Sequence, residues 1–136
     1  MSRIFCLVFL ASSLFAESSF WNYTYSYTLK KDQVADIVIK KNYLPTKKSD
    51  GVLKFRWTLY KGKRLVLLTN YESYPNQFIL EKRYKRDTVK IDLLGDNPTI
   101  SKEAFAIIKF RDFKGDKAYL DVMIRDPEHR MEVRFK

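Results

Sequence analysis

Cysteine and histidine are almost absent from this chain: Cys6 and His129 are the only ones. A disulfide framework is therefore excluded, and a zinc site of the usual Cys/His kind has too few ligands. Asp126, Glu128 and His129 share one turn. Three ligands on one hairpin with no second contributor make a poor metal site, so His129 reads as a solvated turn residue. Glycine is scarce too, with four in all, each at a turn signal. Neither a Gly-x-Ser-x-Gly elbow nor a phosphate-cradling glycine loop occurs. Nucleophilic catalysis needs a nucleophile, a base and an orienting group, and only His129 offers an imidazole base. Asp92 and Asp121 are the mid-strand acids that a glycosidase pair would require. Both lie on the polar sides of their strands and are expected to pair with neighbouring lysines. The expectation is a non-enzymatic protein without a cofactor; an enzyme of unrecognised type is the last of the alternatives.

Long apolar runs are confined to the N-terminus. Met1-Ser2-Arg3 is a short positive start, Ile4 to Phe15 is an apolar run, and Ala16 is a small residue before Glu17. This is the pattern of a secretory signal peptide, residues 1–16, and the run is short for a membrane span. Cys6 lies within the run without a lipobox, which argues against a lipoprotein. Residues 17–136 then form a single β domain. Removing Arg3 from the 26 Lys and Arg leaves 25 against 16 acids, a net charge of +9. Export without any cysteine in the mature part fits a bacterial periplasm, or secretion from a bacterium. The sequon Asn22-Tyr23-Thr24 carries little weight in that setting.

What the chain has in quantity is alternation. Leu53, Phe55, Trp57 and Leu59 alternate with Lys54, Arg56 and Thr58, which puts one set on each face of a strand. Leu65 to Leu68 run without a polar break. A strand apolar on both faces is either covered on both sides or exposes a patch, here Val66 and Leu68, to a partner. The Lys61-Gly62 turn joins the two. A three-residue loop with left-handed Gly62 pairs Trp57 with Leu65, and a two-residue loop pairs Trp57 with Val66.

The same device recurs at Ala104–Asp112 and Lys117–Arg125. There a three-residue loop Phe113-Lys114-Gly115 aligns Phe110, Ile108, Ala106 and Ala104 with Ala118, Leu120, Val122 and Ile124. Further strands are expected at Phe20–Leu29, Val34–Lys40, Gln77–Tyr84, Thr88–Leu94 and Arg130–Phe135. Residues 42–51 are expected as a loop ending in the Asp50-Gly51 turn signal, and Glu72 to Asn76 as a connection. Gly95-Asp96-Asn97-Pro98 is a break, and Ser101-Lys102-Glu103 could open a helical turn. The fold class is all-β: an antiparallel β-sandwich or small open barrel of eight or nine short strands, mostly meander hairpins.

Three features bear on partners. Basic residues gather at turns, above all Lys61, Lys63 and Arg64, and Lys82, Arg83, Lys85 and Arg86 around Tyr84. Such a mix can hold a polyanion, although basic turns also keep β-proteins soluble and block edge pairing. Trp21, Tyr23, Tyr25 and Tyr27 share one strand face; three hydroxyls make it wet for a core and suggest a rim or docking edge. Val66 and Leu68 are the apolar candidate. The expected function is binding of another envelope component: an anionic polymer, a lipid or a protein. Peripheral membrane contact is compatible with this, and nucleic acid is not the expected partner. The alternative is a small barrel carrying an apolar or anionic ligand.

Overall fold

The computed structural model describes residues 20–44, 47–94 and 104–136. The expected signal peptide, the break at 95–98 and the helical turn at 101–103 lie outside the described residues. Nine strands follow in order: β1 (Tyr23–Lys30), β2 (Ala35–Leu44), β3 (Lys47–Lys61), β4 (Arg64–Tyr71), β5 (Tyr74–Glu81), β6 (Thr88–Asp92), β7 (Phe105–Lys114), β8 (Lys117–Arg125) and β9 (Met131–Phe135). A single 3-10 turn, Arg83–Lys85, stands between β5 and β6. They form two antiparallel sheets, β1-β8-β7-β6 and β5-β4-β3-β2-β9. Two separate sheets with free edges make this a β-sandwich rather than a barrel.

Alternation decides what is buried. Leu53, Phe55 and Trp57 of β3 and Leu65 and Leu67 of β4 face Ala106, Ile108 and Phe110 of β7 and Leu120, Val122 and Ile124 of β8 in one core. The inner sides of both hairpins are therefore the expected ones, except that Leu59, expected on the Trp57 face, lies on the outer side and is 52% exposed. Their registers are not. Both loops have two residues, Gly62-Lys63 and Gly115-Asp116, and all four lie at φ between 58° and 65°. This is the mirror-image turn whose twist matches a hairpin. The ladders start at Lys61↔Arg64 and Lys114↔Lys117, and each slips once, at Thr58 and at Arg111. Trp57 thus lies opposite Leu67, and Phe110 opposite Leu120. A bulge adds one residue to one strand, so a turn that would reverse the faces is compensated four residues further in.

Other boundaries differ from expectation. Residues 47–51 are strand rather than loop, with Asp50 opposite Lys40 and Gly51 opposite Ile39. A Cβ on Gly51 would come within 3.2 Å of the Tyr71 ring, so the glycine serves close approach rather than a turn. The connection at 72–76 shrinks to Glu72-Ser73, and Pro75 belongs to β5. β5 is an edge strand, where a missing N–H is tolerated. At its far end β5 stops at Glu81 rather than Tyr84.

Aromatic hydroxyls and the indole stitch the sheets together. Trp57 Nε1 donates to the Leu29 carbonyl at 2.8 Å, Tyr71 Oη to that of Leu93 at 2.6 Å, and Tyr23 Oη to that of Met131 at 3.0 Å. Each bond lets a large apolar ring enter the layer without leaving a polar atom dry. Lys41 is the unusual core member, 1% exposed, with its ammonium paired to Glu72 and 4.8 Å from the Tyr71 ring centre. Burial pushes the Lys41 ammonium down to about 8.

Candidate functional site

The β-meander brings distant turns together. Lys30 lies opposite Lys117 and Lys117 opposite Lys114, so the β1–β2 and β7–β8 turns share one end of the four-stranded sheet. Arg64 lies opposite both Lys61 and Glu81, so the β3–β4 and β5–β6 turns share one end of the other sheet. Contacts between sheets show that these are the same end. The Tyr60 ring meets that of Phe113, Lys82 Nζ is 3.6 Å from Asp112 Oδ1, and Asp32 N donates to the Trp57 carbonyl at 2.9 Å.

Residues 30–33, 61–64, 81–88 and 112–117 therefore make one basic pole. They hold eleven Lys and Arg (30, 31, 61, 63, 64, 82, 83, 85, 86, 114, 117) against five acids (32, 81, 87, 112, 116). All eight basic and aromatic residues singled out in the two runs, Lys61, Lys63, Arg64, Lys82, Arg83, Tyr84, Lys85 and Arg86, fall here. The opposite end carries both signs among the described residues, with Lys41 paired to Glu72 and Arg130 to Glu128.

Three of the five acids in the pole are held by side-chain or backbone partners. Asp112 accepts from Phe113 N at 2.8 Å and lies 3.6 and 3.7 Å from Lys82 and Lys114. The backbone bond first, then the two lysines, hold its carboxyl below the usual range. Asp32 pairs with Arg56 at 3.1 Å. Glu81 is the buried acid, 9% exposed, with Arg64 Nε at 3.6 Å and Arg83 Nε at 3.4 Å. Its N–H donates to the Arg86 carbonyl at 2.9 Å and closes the loop between them. Arg64, Glu81, Arg83, Tyr84 and Arg86 line a hollow of about 370 Å³. Tyr84 is 81% exposed, and it and Lys85 hold left-handed backbone at φ 62° and 55°.

The aromatic face of β1 has a different place. Trp21 packs edge-on against Phe105, Tyr25 stacks on Phe135 at 5.1 Å, and Tyr27 meets Phe55 edge-on at 5.4 Å. The Tyr25–Phe135 stack and the Tyr23–Met131 bond close the seam between edge strands β1 and β9, while Trp21 and Tyr27 pack on β7 and β3. Burial pushes the Tyr27 phenol up to about 12, with Tyr25 and Asp36 adding to it. Val66 and Leu68 lie on the outer side of the five-stranded sheet, half-buried. Val66 stands between Leu59 and Ile79, themselves 52% and 59% exposed, and Leu68 between Arg56 and Gln77. A concavity of about 510 Å³ lined by Val34, Lys54, Arg56, Leu68, Asn70 and Gln77 opens on that side.

Two of the acids weighed for chemistry have structural partners. Asp121 accepts from Ser26 Oγ at 2.8 Å and pairs with Arg111 at 3.1 Å. Asp126 is buried, with its two oxygens accepting from Arg130 N and Met131 N at 2.9 Å each, and it shapes the β8–β9 turn. Among the described residues no group of three His, Cys, Asp or Glu is placed to hold a metal. Among them, too, no helix is long and apolar enough to cross a membrane.

Glu81 is the site residue that sequence reasoning missed. An acid at the head of a basic run looks like a strand-end counter-ion, and only its pairing with Arg64, seventeen positions earlier, gives it a place. The architecture is that of an antiparallel two-layer β-sandwich. No protein-family model matches the chain, and neither a curated protein nor a solved structure matches it.

Proposed function

We propose that this is an exported, non-enzymatic β-sandwich that binds an anionic component of the bacterial envelope end-on, through its basic pole. The observation that carries the reading is the convergence of four strand connections, two hairpin turns and two crossings between sheets, with eleven cations against five acids, on one end. Solubility alone asks for charge spread over a surface, whereas a field of one sign steers an anionic partner to one face. Export rests on the expected signal peptide, and the anions of that compartment are lipid phosphates, lipopolysaccharide and cell-wall polymers.

The test is retention on anionic vesicles or polymer as salt rises. Binding should fall steeply between low and physiological salt, because contacts at an exposed end are screened within about 8–10 Å. Replacing Lys82, Arg83, Lys85 and Arg86 together with Ser should abolish binding, and should remove the crosslinked partner in intact cells. Salt-independent binding, or a variant that binds as before, sinks the reading. A protein partner on the outer side of the five-stranded sheet is a second reading, favoured by the outward-facing row Leu59, Val66 and Ile79. An Ile79→Lys variant that loses a partner while keeping anion binding supports it.

A further inference from the structure

We infer that Arg64, Arg83 and Arg86, arranged around Glu81, form a site for a single phosphate monoester. This rests on the reading of the basic pole as an anion-binding end and gives it a chemical class.

The geometry differs from ordinary neutralisation of a carboxylate. An Arg–carboxylate pair at its strongest is bidentate, with two parallel N–H···O bonds near 2.8 Å. Here Arg64 and Arg83 approach different oxygens of Glu81, each with Nε as the closest atom, at 3.6 and 3.4 Å. The carboxylate spaces two guanidinium groups without consuming the paired donors of either. Arg86 makes no ion pair among the described residues, yet lines the same hollow and is fixed to Glu81 by the backbone. Three arginines and one carboxylate leave two positive charges, the complement of a phosphate monoester dianion near neutral pH.

The backbone adds a second observation. Lys82 is right-handed (φ −64°, ψ −30°), while Tyr84 and Lys85 are left-handed. Non-glycine residues rarely adopt that conformation; the other such pair among the described residues, Glu72-Ser73, forms the two-residue β4–β5 turn, whereas Tyr84-Lys85 lies in the wider connection between the sheets, and such strain gathers at ligand sites. A step from right- to left-handed backbone turns successive N–H groups to one side, the arrangement of anion-binding nests. Tyr84, standing exposed on the rim, supplies a phenol beside the hollow. Glu81 is a positioning residue: it touches the arginines and would not touch the ligand.

This assignment reverses the sign of one mutation. If the pole attracts anions only through net charge, Glu81→Gln adds a positive charge and tightens binding. If Glu81 spaces the arginines, Glu81→Gln weakens monoester binding several-fold despite the added charge. The probes are glycerol 3-phosphate at pH 7.5, followed by calorimetry, and phosphatidylcholine vesicles doped with phosphatidic acid or phosphatidylglycerol to matched surface charge. The expected result is saturable one-to-one binding of glycerol 3-phosphate, and preference for phosphatidic acid, a monoester, over phosphatidylglycerol, a diester. Glu81→Gln should weaken both several-fold and Arg86→Gln tenfold or more.

Comparable affinity for glycerol phosphate and for phosphatidic acid vesicles marks a soluble monoester as the ligand source, and much tighter vesicle binding marks a lipid. Arg86→Gln removes no ion pair seen in the fold, so it remains informative if Glu81→Gln proves unstable. Wild-type affinity in Arg86→Gln, unchanged or tighter binding in Glu81→Gln, or no discrimination between monoester and diester overturns the site. Salt-dependent binding to both kinds of vesicle would then leave the broader reading standing.

Discussion

The ring of Tyr60 stacks on that of Phe113, centroids 3.9 Å apart and 16° from parallel, and each residue stands two places before a turn glycine. Trp57 and Phe110, five places before the same glycines, meet the opposite members of that pair edge-on at 5.3 and 6.0 Å. The bulges at Thr58 and Arg111 lie four places before them. Two hairpins from opposite sheets therefore use the same local plan and close the core beneath the basic pole with four rings. Phe113→Ala should lower stability by about 2–3 kcal/mol, toward the low end for a buried aromatic because the ring is half-buried. A double-mutant cycle with Tyr60→Leu in urea should give a coupling of about 0.5–1.5 kcal/mol. Additive losses would mean that the stack adds nothing beyond burial.

The turns offer a cleaner test of strain. A Cβ at Gly62 or Gly115 meets nothing within 4 Å, so an alanine there pays only for its left-handed backbone. Gly62→Ala and Gly115→Ala should each cost about 1–2 kcal/mol. Lys63→Gly, at φ 65°, should be neutral or stabilising by up to about 1 kcal/mol, measured as a shift in denaturation midpoint at constant slope.

Two buried groups give stability opposite dependences on pH. Lys41 titrates at about 8 when folded, against an ordinary value of 10.5, so the unfolded chain binds more protons between these values. Its contribution therefore raises stability as pH climbs from 8 to 10.5. Tyr27 titrates at about 12 when folded against 10.0, so its contribution is present below pH 10 and is lost as pH rises from 10 toward 12. Lys41→Met should flatten the rise and Tyr27→Phe the fall, as read by denaturant midpoints from pH 7 upward. A rise that persists in Lys41→Met assigns it to another group.

Asp126 should behave as a structural acid. Asp126→Asn keeps the shape but leaves a single acceptor oxygen for the Arg130 and Met131 N–H groups. A loss of about 1–3 kcal/mol is expected, with β9 amides exchanging faster than those of β8.

The faces of the strands were legible because alternation is a local property: Leu53, Phe55 and Trp57 are buried as their spacing demands. Register was not legible. A two-residue loop and a bulge bury the same residues beyond the bulge as a three-residue loop, reversing only the stretch next to the turn, and no residue type marks Thr58 or Arg111 as the slip. Strand ends failed where chemistry misleads, as with Gly51 inside β3 and Pro75 inside β5. The basic runs could be read as runs. That Arg64 and Arg86 share a hollow depends on the neighbours of β4 and β5, which sequence spacing does not encode.

Tyr23 lies opposite Ile124 while Lys30 lies opposite Lys117, so the chain enters the sandwich at the end away from the basic turns. At about 3.3 Å per residue, the eight residues of β1 set the two ends roughly 25 Å apart. Among the described residues, the excess of positive charge is gathered at one end of the strands. If the proposed anionic partner is a surface, such a field would turn the protein upright, strands along the surface normal, before contact. A cargo or tether joined ahead of Phe20 would then point outward, at a standoff set by the length of one strand.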